Sequence, residues 1–176
     1  LDAVDLNGGL DGNQAALGGV YKLSAKEENG VYIPTLKISS SYEKTTNPGI
    51  KQVYRFFDKN GQALADLVAL NDERIETGVN HIFFHPFSTQ DMFVMRKNSY
   101  AEIRPLLKKQ MENGKRINPS PSLKEIQQNS LELLSHFDKS YKRQVNPHIY
   151  KVSLSTKLKN LKGDLIMQAK MAEDKI

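Results

Sequence analysis

The first half of the chain carries short apolar runs of the kind that form β-strands. From Val20 to about Val94, runs rich in Val, Tyr, Ile and Phe are separated by turn residues, and this pattern predicts strands and hairpins. Asn-Gly readily adopts the two positive φ angles of a tight turn. Two Asn-Gly dipeptides separate paired runs and each predicts a hairpin: Asn29-Gly30 between Val20–Leu23 and Val31–Ser39, and Asn60-Gly61 between Val53–Phe57 and Ala63–Leu70.

The stretch between the two predicted hairpins, Ser39 to Gly49, has the composition of a loop. It is rich in Ser, Thr, Asn, Pro and Gly. Pro48 has no N–H to donate, so the stretch is not expected to continue as a central strand. We predict an exposed loop here.

After residue 97 the apolar spacing changes. Ser99 to Met111 predicts one helix interrupted at Pro105, followed by the rigid connector Asn118-Pro119-Ser120-Pro121. Ser122-Leu123-Lys124-Glu125 is a capping box, in which the Ser hydroxyl and the Glu carboxylate each accept from an otherwise unpaired backbone N–H. It predicts a helix whose apolar stripe is Leu123, Ile126, Leu133, Leu134 and Phe137.

A last helix is predicted near the end of the chain. Asn146-Pro147 ends the preceding helical region, and apolar residues then recur at helical spacing from Ser155 to Ala169. The chain therefore divides into a flexible lead-in (1–16), an antiparallel β-rich part (17–97), a helix with a Pro-rich connector (98–121) and a C-terminal helical part (122–176). The predicted fold class is α+β, with antiparallel hairpins in the first half followed by helices. Exposed strand edges in such a fold favour self-association, and we expect a dimer.

Composition and charge exclude several classes of protein. No run approaches the eighteen or so apolar residues of a membrane helix, and the first residues lack the features of a signal peptide. The absence of cysteine fits a reducing compartment, so a cytoplasmic location is expected. Residues 1–100 hold 10 Lys/Arg and 12 Asp/Glu, and residues 101–176 hold 15 and 8. The basic half has its lysines spaced along amphipathic segments rather than bunched with aromatic residues, so nucleic-acid binding is not expected.

The sequence offers few residues for catalysis. It contains no Gly-x-Ser-x-Gly elbow, no phosphate loop ending in Gly-Lys-Ser/Thr and no His-Glu-x-x-His pair, and we assign no catalytic residue. His81 and His85 are four apart, but no third ligand has a fitting spacing, so we assign no metal site. His136 and His148 are interpreted as structural.

Two glycine- or lysine-containing segments are candidates for substrate binding. Gly18 and Gly19 precede a predicted strand and permit close approach of backbone or of a phosphate-bearing ligand. Lys44, Thr45 and Lys51, with Thr46 and Gly49 around Pro48, could form an anion-binding nest of amides, hydroxyls and ammonium groups. Structural packing is the favoured explanation of the glycines, and a rigid β-connection with solvated lysines is the favoured explanation of the second segment. Asp5 and Asp11 could hold a cation or a sugar hydroxyl, although a frayed terminus explains them too.

Three longer segments resemble a known family when they are taken together. They are Ala16–Leu23 (Ala-Leu-Gly-Gly-Val-Tyr-Lys-Leu), Glu43–Arg55 (Glu-Lys-Thr-Thr-Asn-Pro-Gly-Ile-Lys-Gln-Val-Tyr-Arg) and Tyr141–Tyr150 (Tyr-Lys-Arg-Gln-Val-Asn-Pro-His-Ile-Tyr). Their order and spacing are similar to the C-terminal third of nicotinate phosphoribosyltransferases. The resemblance covers roughly residues 13 to 168. Further matching features are the hairpin from Asp58 to Asp66, His85-Pro86, the helix start at Pro121-Ser122-Leu123 and Val152–Leu158.

The resemblance implies a fold and a reaction. The fold would be a C-terminal fragment of an irregular α/β-barrel phosphoribosyltransferase. The full-length enzyme would form nicotinate mononucleotide from nicotinate and phosphoribosyl pyrophosphate, with Mg²⁺ and with ATP hydrolysis, in NAD biosynthesis. The family's phosphorylatable histidine and nicotinate-binding arginines belong to the upstream catalytic part. This fragment alone is therefore expected to be inactive and to hold neither Mg²⁺ nor ATP.

The sequence also departs from the family. Members carry a Gly-Val-Gly-Thr-like phosphate loop shortly before Leu-Gly-Gly-Val-Tyr, whereas Leu1 to Asn13 lack that pattern. No phosphate-binding role is therefore transferred to Gly8 or Gly9. A non-catalytic structural domain and a module that binds a phosphate-rich ligand remain as alternative functions.

Overall fold

A computed structural model describes residues 21–88 and 90–173 of the chain. These residues contain two α-helices, α1 (Leu123–Ser135) and α2 (Thr156–Glu173), and short 3-10 helices at Tyr42–Lys44 and Lys139–Lys142. They also contain ten strands: β1 (Ala25–Glu28), β2 (Val31–Pro34), β3 (Lys51–Phe57), β4 (Ala63–Leu70), β5 (His81–Phe84), β6 (Met92–Met95), β7 (Glu102–Pro105), β8 (Met111–Glu112), β9 (Lys115–Arg116) and β10 (Val152–Leu154).

Six of the strands form one sheet in the order β6-β5-β10-β4-β3-β7. All neighbouring strands pair antiparallel except β10 and β4, which run parallel with Val152 opposite Asp66. The predicted α+β class is confirmed, and the one parallel pair makes the sheet mixed. Because β10 comes from the C-terminal part and lies inside the sheet, the two halves of the chain share one layer. The division into four segments stays a prediction.

The first hairpin is confirmed, but its strands are shorter than predicted. Asn29 and Gly30 have φ values of 53° and 80°, as the tight turn requires. The first arm is β1 rather than Val20–Leu23, because a two-residue turn pairs Glu28 directly with Val31 and the strand must adjoin it. Of the predicted arm, Val20 lies outside the described residues. The second arm ends at Pro34 rather than Ser39.

The second hairpin is also confirmed, with its arms meeting at the predicted positions, but its turn is not the tight two-residue turn typical of Asn-Gly. Five residues join β3 and β4, and only Gly61 among them has a positive φ, of 76°. The carboxylate of Asp58 accepts N–H groups of Asn60 and Gln62 at 2.8 Å each. This side chain organises the longer turn in place of the two-residue Asn-Gly turn.

The predicted helix from Ser99 to Met111 is wrong. Residues 102–105 form β7, in which Pro105 lies opposite Tyr54 at the edge of the sheet. An edge strand tolerates the missing N–H of proline, and pairing with β3 outweighs the helical spacing. A third Asn-Gly turn follows at Asn113-Gly114, with φ values of 48° and 73°, and joins β8 to β9.

The two faces of the large sheet are covered differently. One face carries the main core cluster, whose buried members are Phe56, Ala65, Leu67, Phe83, Met95 and Tyr100. Successive residues of a strand point to opposite faces, so Phe84 and Leu154 point to the other face. There α2 packs, with Leu158 buried and the ammonium of Lys159 5.0 Å from the ring centroid of Phe84.

The loop from Ser39 to Gly49 is only partly exposed. The prediction of an exposed loop is wrong for Thr45, Pro48 and Gly49, which are buried. The loop folds back onto α2, where Lys162 donates hydrogen bonds to it. The loop thus forms part of the packed body.

Both predicted C-terminal helices are confirmed. At the start of α1, the Ser122 side chain accepts from Glu125 N–H and the Glu125 carboxylate accepts from Ser122 N–H at 2.6 Å, which is the predicted capping box. Asn146, in the predicted break, has a φ of 47°. No helix among the described residues is long and apolar enough to cross a membrane.

Candidate functional site

A buried ion pair lies at the centre of the hairpin formed by β3 and β4. Arg55 and Asp66 are directly opposite in the strand register. The Arg55 guanidinium donates two hydrogen bonds to the Asp66 carboxylate, at 2.9 Å from Nε and 2.8 Å from Nη2. The side chains are 14% and 8% exposed. This bidentate geometry is the strongest arrangement available to an arginine and a carboxylate.

Tyr150 completes the cluster from outside the hairpin. Its hydroxyl donates to Asp66 Oδ1 at 2.9 Å, and its ring lies 5.0 Å from that of Phe137 in an edge-to-face arrangement. The Arg55 guanidinium carbon is 4.7 Å from the Phe137 centroid. Burial, together with the negative charge of Asp66, raises the pKa of Tyr150 well above its usual value of 10.0. The Tyr150 phenol therefore stays a hydrogen-bond donor throughout the neutral range.

The Arg55–Asp66–Tyr150 cluster attaches the segment after α1 to the sheet. Asp66 receives three side-chain hydrogen bonds, and its backbone N–H donates to the carbonyl of Lys151 at 2.9 Å. All of these hydrogen-bond partners of Asp66 belong to this chain. A carboxylate saturated in this way is suited to holding elements together rather than to acid–base catalysis.

A buried lysine joins α2 to the loop before β3. Lys162 is 1% exposed, and its ammonium donates to the carbonyl of Thr45 and to Oδ1 of Asn47, both at 3.1 Å. The Tyr42 ring centroid lies 4.4 Å from the same nitrogen. Burial lowers the pKa of Lys162. Two neutral acceptors and one aromatic face thus take the place of water around this charge.

The N-terminus of α2 is tied to the loop after β4. Ser155 Oγ donates to Oε1 of Glu73 at 2.6 Å and accepts the N–H of Leu158 at 3.1 Å. The same Glu73 oxygen accepts the N–H of Leu70 at 2.7 Å. Ser155 therefore caps the helix and links it to the sheet.

A largely apolar groove of about 730 Å³ lies between the start of β10 and the turn that joins β5 to β6. Phe83, Phe93 and Tyr150 line it, and Lys151 and His85 are among its polar residues. The Lys151 ammonium is 4.7 Å from the Phe93 centroid. The size and lining suit an apolar ring or side chain.

Three of the five predicted substrate-binding residues, Lys44, Thr45 and Lys51, lie among the described residues, and the side chains of Thr45 and Lys51 make separate contacts within the loop. Gly18 and Gly19 lie outside the described residues. Lys44 is exposed, whereas Thr45 is buried and its hydroxyl accepts the N–H of Ser39 at 3.3 Å. The Lys51 ammonium donates to the carbonyls of Pro48, at 3.3 Å, and Gly49. Burial lowers the pKa of Lys51. A substrate role for these residues stays a prediction.

The four histidines make contacts with their own surroundings. His81 Nε2 lies 2.8 Å from the carbonyl of Glu76. His85 Nδ1 accepts the backbone N–H groups of Phe87, at 3.2 Å, and Ser88, at 3.1 Å. His136 Nδ1 lies 2.9 Å from the carbonyl of Gly61, and the His148 ring lies edge-on to that of Tyr141. Residues 21–88 and 90–173 contain no group of three or more His, Cys, Asp or Glu that could hold a metal ion. Asp5 and Asp11 lie outside this range.

The sequence reasoning missed the ion pair and the buried lysine. The signal for the pair was present, because Arg55 and Asp66 each interrupt an apolar run on opposite arms of one predicted hairpin. Charges at such positions are paired when they are buried. Lys162 follows Leu158 by four residues and so lies on the apolar face of α2. Its acceptors are more than a hundred residues away in sequence, so no local pattern could reveal them.

Comparison with known proteins gives one consistent family. A model described as the nicotinate phosphoribosyltransferase C-terminal domain matches residues 50–162. Nicotinate phosphoribosyltransferase from Bacillus subtilis is 39% identical over 147 residues, which are 81% of this chain and 29% of that protein. The Caenorhabditis elegans enzyme is 36% identical over 82% of this chain and 25% of its own length.

Solved structures lead to the same family. The crystal structure of human nicotinic acid phosphoribosyltransferase matches with a TM-score of 0.61 and 28% identity, over 69% of this chain and 24% of that chain. The chain thus spans less than a third of the length of these relatives. Since the family model covers more than half of the chain, including the Arg55–Asp66–Tyr150 cluster, the chain belongs to the nicotinate phosphoribosyltransferase C-terminal domain family.

Proposed function

We propose that this chain serves as the C-terminal domain of an enzyme that makes nicotinate mononucleotide from nicotinate and phosphoribosyl pyrophosphate, with ATP hydrolysis, in NAD biosynthesis. The observation that carries the proposal is the match of the family model to residues 50–162. Relatives from a bacterium and a nematode bear the same enzyme name and match more than four fifths of the chain.

The proposed contribution of this domain is structural. Transfer of a phosphoribosyl group needs two substrates held in line and charge stabilised on the departing pyrophosphate, and it needs no protein nucleophile. In the described residues, the buried charges of Arg55, Asp66 and Lys162 are all engaged by partners within the chain. These contacts support a domain that supplies a rigid body to the enzyme while the reacting groups come from its catalytic part.

Mg²⁺ and ATP belong to the proposed enzyme as a whole. The described residues offer no carboxylate or histidine cluster of the kind that would hold a metal ion. Their binding sites are therefore proposed to lie outside the described residues of this domain. A homodimer and a cytoplasmic location complete the proposal, the first because β6 and β7 leave edges on the sheet.

A chimera tests the function directly. The matched segment of the Bacillus subtilis relative is replaced by this chain, and formation of nicotinate mononucleotide is measured from nicotinate, phosphoribosyl pyrophosphate, Mg²⁺ and ATP. We expect the chimera to be active and this chain alone to be inactive. The control is the same relative with its matched segment deleted.

Two results would contradict the proposal. Product formation by this chain alone would show that the reacting groups lie within it. A chimera that unfolds as one cooperative unit but makes no product would show that this domain does not support the reaction.

A further inference from the structure

Residues 107–135 form an arm that stands away from the packed body. Every residue in this range is exposed, although it contains the hairpin of β8 and β9 and the whole of α1. The arm is attached at its two ends. At the first, Leu107 N–H donates to Gln52 Oε1 at 2.9 Å, and just beyond the second, Ala63 N–H donates to the carbonyl of His136 at 2.8 Å.

The α1 helix of this arm has an apolar face without a cover among the described residues. Leu123, Ile126, Leu133 and Leu134 are 85%, 49%, 52% and 48% exposed. They follow the predicted stripe and lead toward Phe137, with a shallow groove of about 450 Å³ along the stripe. Isolated helices of about this length are marginal in water, and helices in proteins are held mainly by packing of their apolar face. The α1 helix therefore needs a partner surface.

We propose that the apolar face of α1 docks on the part of the nicotinate phosphoribosyltransferase polypeptide that lies outside this domain. This inference rests on the proposed function. In the relatives that match this chain, the matched segment is less than a third of the protein, so a large folded surface is available in the same polypeptide. The arm lies within the residues that match the family model, which makes it part of the shared domain rather than an addition in this chain.

The size of the face favours a partner in the same polypeptide over a second copy. A 13-residue helix is about 20 Å long, and one apolar stripe on it can bury on the order of 300 Å². A stable complex of two separate proteins buries about 800 Å² on each partner. A covalently linked partner acts at an effective concentration in the millimolar range, so a small face is sufficient.

The surroundings of the face define the surface that it fits. The hairpin that precedes α1 within the arm carries Lys108, Lys109, Lys115 and Arg116 and the single acidic residue Glu112 between Leu107 and Ile117. The partner surface is therefore an apolar patch bordered by carboxylates, since charges across an interface are complementary.

Hydrogen exchange of the α1 amides tests this docking. In this chain alone, residues 123–135 should exchange rapidly, because an uncovered helix opens at little free-energy cost. In the full-length chimera with the Bacillus subtilis relative, the same amides should exchange at least about tenfold more slowly. The unmodified relative, followed at the segment aligned with residues 123–135, provides the same comparison if the chimera does not fold.

Two substitutions of equal charge locate the face. Ile126→Lys places an ammonium on the apolar stripe and should remove the protection in the chimera, whereas Gln128→Lys adds the same charge to the opposite side of α1 and should leave it intact. Neither should change the unfolding of this chain alone. Sedimentation velocity shows whether this chain, with and without Ile126→Lys, is a monomer or a dimer.

The outcomes separate this inference from the proposed function. Equal exchange rates in the chimera and in this chain alone overturn the docking, even when the chimera is active. Protection in this chain alone that grows with concentration, together with a dimer mass that Ile126→Lys abolishes, also overturns it and identifies a second copy as the occupant. An inactive chimera with slow α1 amides supports the docking and contradicts only the proposed function.

Discussion

Asp66→Ala is the most informative perturbation of the body of this domain. The substitution removes the acceptor of three charge-assisted hydrogen bonds, two from Arg55 and one from Tyr150. It leaves the Arg55 guanidinium, whose side chain is 14% exposed, without a carboxylate. Water reaches this position poorly, so the lost bonds are not replaced.

The expected cost is large relative to the stability of a domain. Removing one partner of a buried ion pair costs about 3–5 kcal/mol, because an uncompensated charge remains. The Phe137 ring still faces the guanidinium at 4.7 Å, which favours a value near the lower end of that range. Small domains unfold with about 5–15 kcal/mol, so Asp66→Ala should remove a substantial share.

Urea denaturation of this chain followed by circular dichroism measures the effect. The exposed pair of Lys26 and Glu28, whose side chains are 52% and 50% exposed, provides the control. Glu28→Ala should leave the unfolding midpoint unchanged within error. The triple variant Arg55→Met, Asp66→Leu, Tyr150→Phe replaces the whole cluster by apolar groups and should be more stable than Asp66→Ala by at least about 2 kcal/mol.

Two observations would refute this reasoning. If Asp66→Ala shifts the midpoint no more than Glu28→Ala does, the pair does not hold the sheet to the segment that follows α1. If the triple variant is as unstable as Asp66→Ala, the cost comes from packing defects rather than from an unpaired buried charge.

Three further predictions concern other positions in the body. Gly49 has a φ of 80°, and a Cβ there would lie 2.8 Å from Leu70 Cδ2, so Gly49→Ala should lower the free energy of unfolding by about 2 kcal/mol or more. Gly61 has a φ of 76° but lies in open space, so Gly61→Ala should cost only about 1 kcal/mol. Equal costs of the two substitutions in urea denaturation would contradict the steric argument. Lys162→Met leaves the buried Thr45 carbonyl without its donor and should cost about 1–3 kcal/mol. Because burial lowers the pKa of Lys162, the unfolded state binds more protons than the folded state just below pH 10.5. The difference in stability between wild type and Lys162→Met should therefore grow in favour of wild type as pH rises toward that value. A constant difference in unfolding midpoints from pH 8 to 10 would argue against burial of the charge. The pKa of Tyr150 is raised from 10.0, so its stabilising effect is fully present below pH 10 and is lost as pH rises above it. Above pH 10, wild type should therefore lose stability relative to Tyr150→Phe. If the unfolding midpoints of the two proteins change in parallel from pH 9 to 11, the pKa of the phenol is not raised in the folded protein.

Local signals in the sequence predicted most of the regular elements correctly. The capping box at Ser122 placed the start of α1, and Asn29-Gly30 placed the first hairpin turn. These features depend on residues within a few positions of each other, so a sequence contains all the information that they need. Asn113-Gly114 carries the same signal for the hairpin of β8 and β9, just after the stretch that was wrongly predicted as a helix.

The candidate site was less predictable than the elements. Arg55 and Asp66 could have been paired from the sequence, because each interrupts an apolar run on one arm of the same predicted hairpin. Tyr150 could not, since its hydrogen bond to Asp66 spans a separation of 84 residues. The contacts of Thr45 and Lys51 likewise follow from the fold of the loop around them, which periodicity does not describe.

Local sequence features were sufficient to identify the family, the two C-terminal helices, the turn of the first hairpin and the position of the second, because motifs, caps and turn residues act over short distances. Three features follow from the folded structure alone: β10 lies between β4 and β5, residues 102–105 pair with β3 as a strand, and the ammonium of Lys162 is buried against the loop before β3. Each of these depends on segments far apart in sequence meeting in space. Burial of apolar surface and pairing of buried polar groups then outweigh local preference.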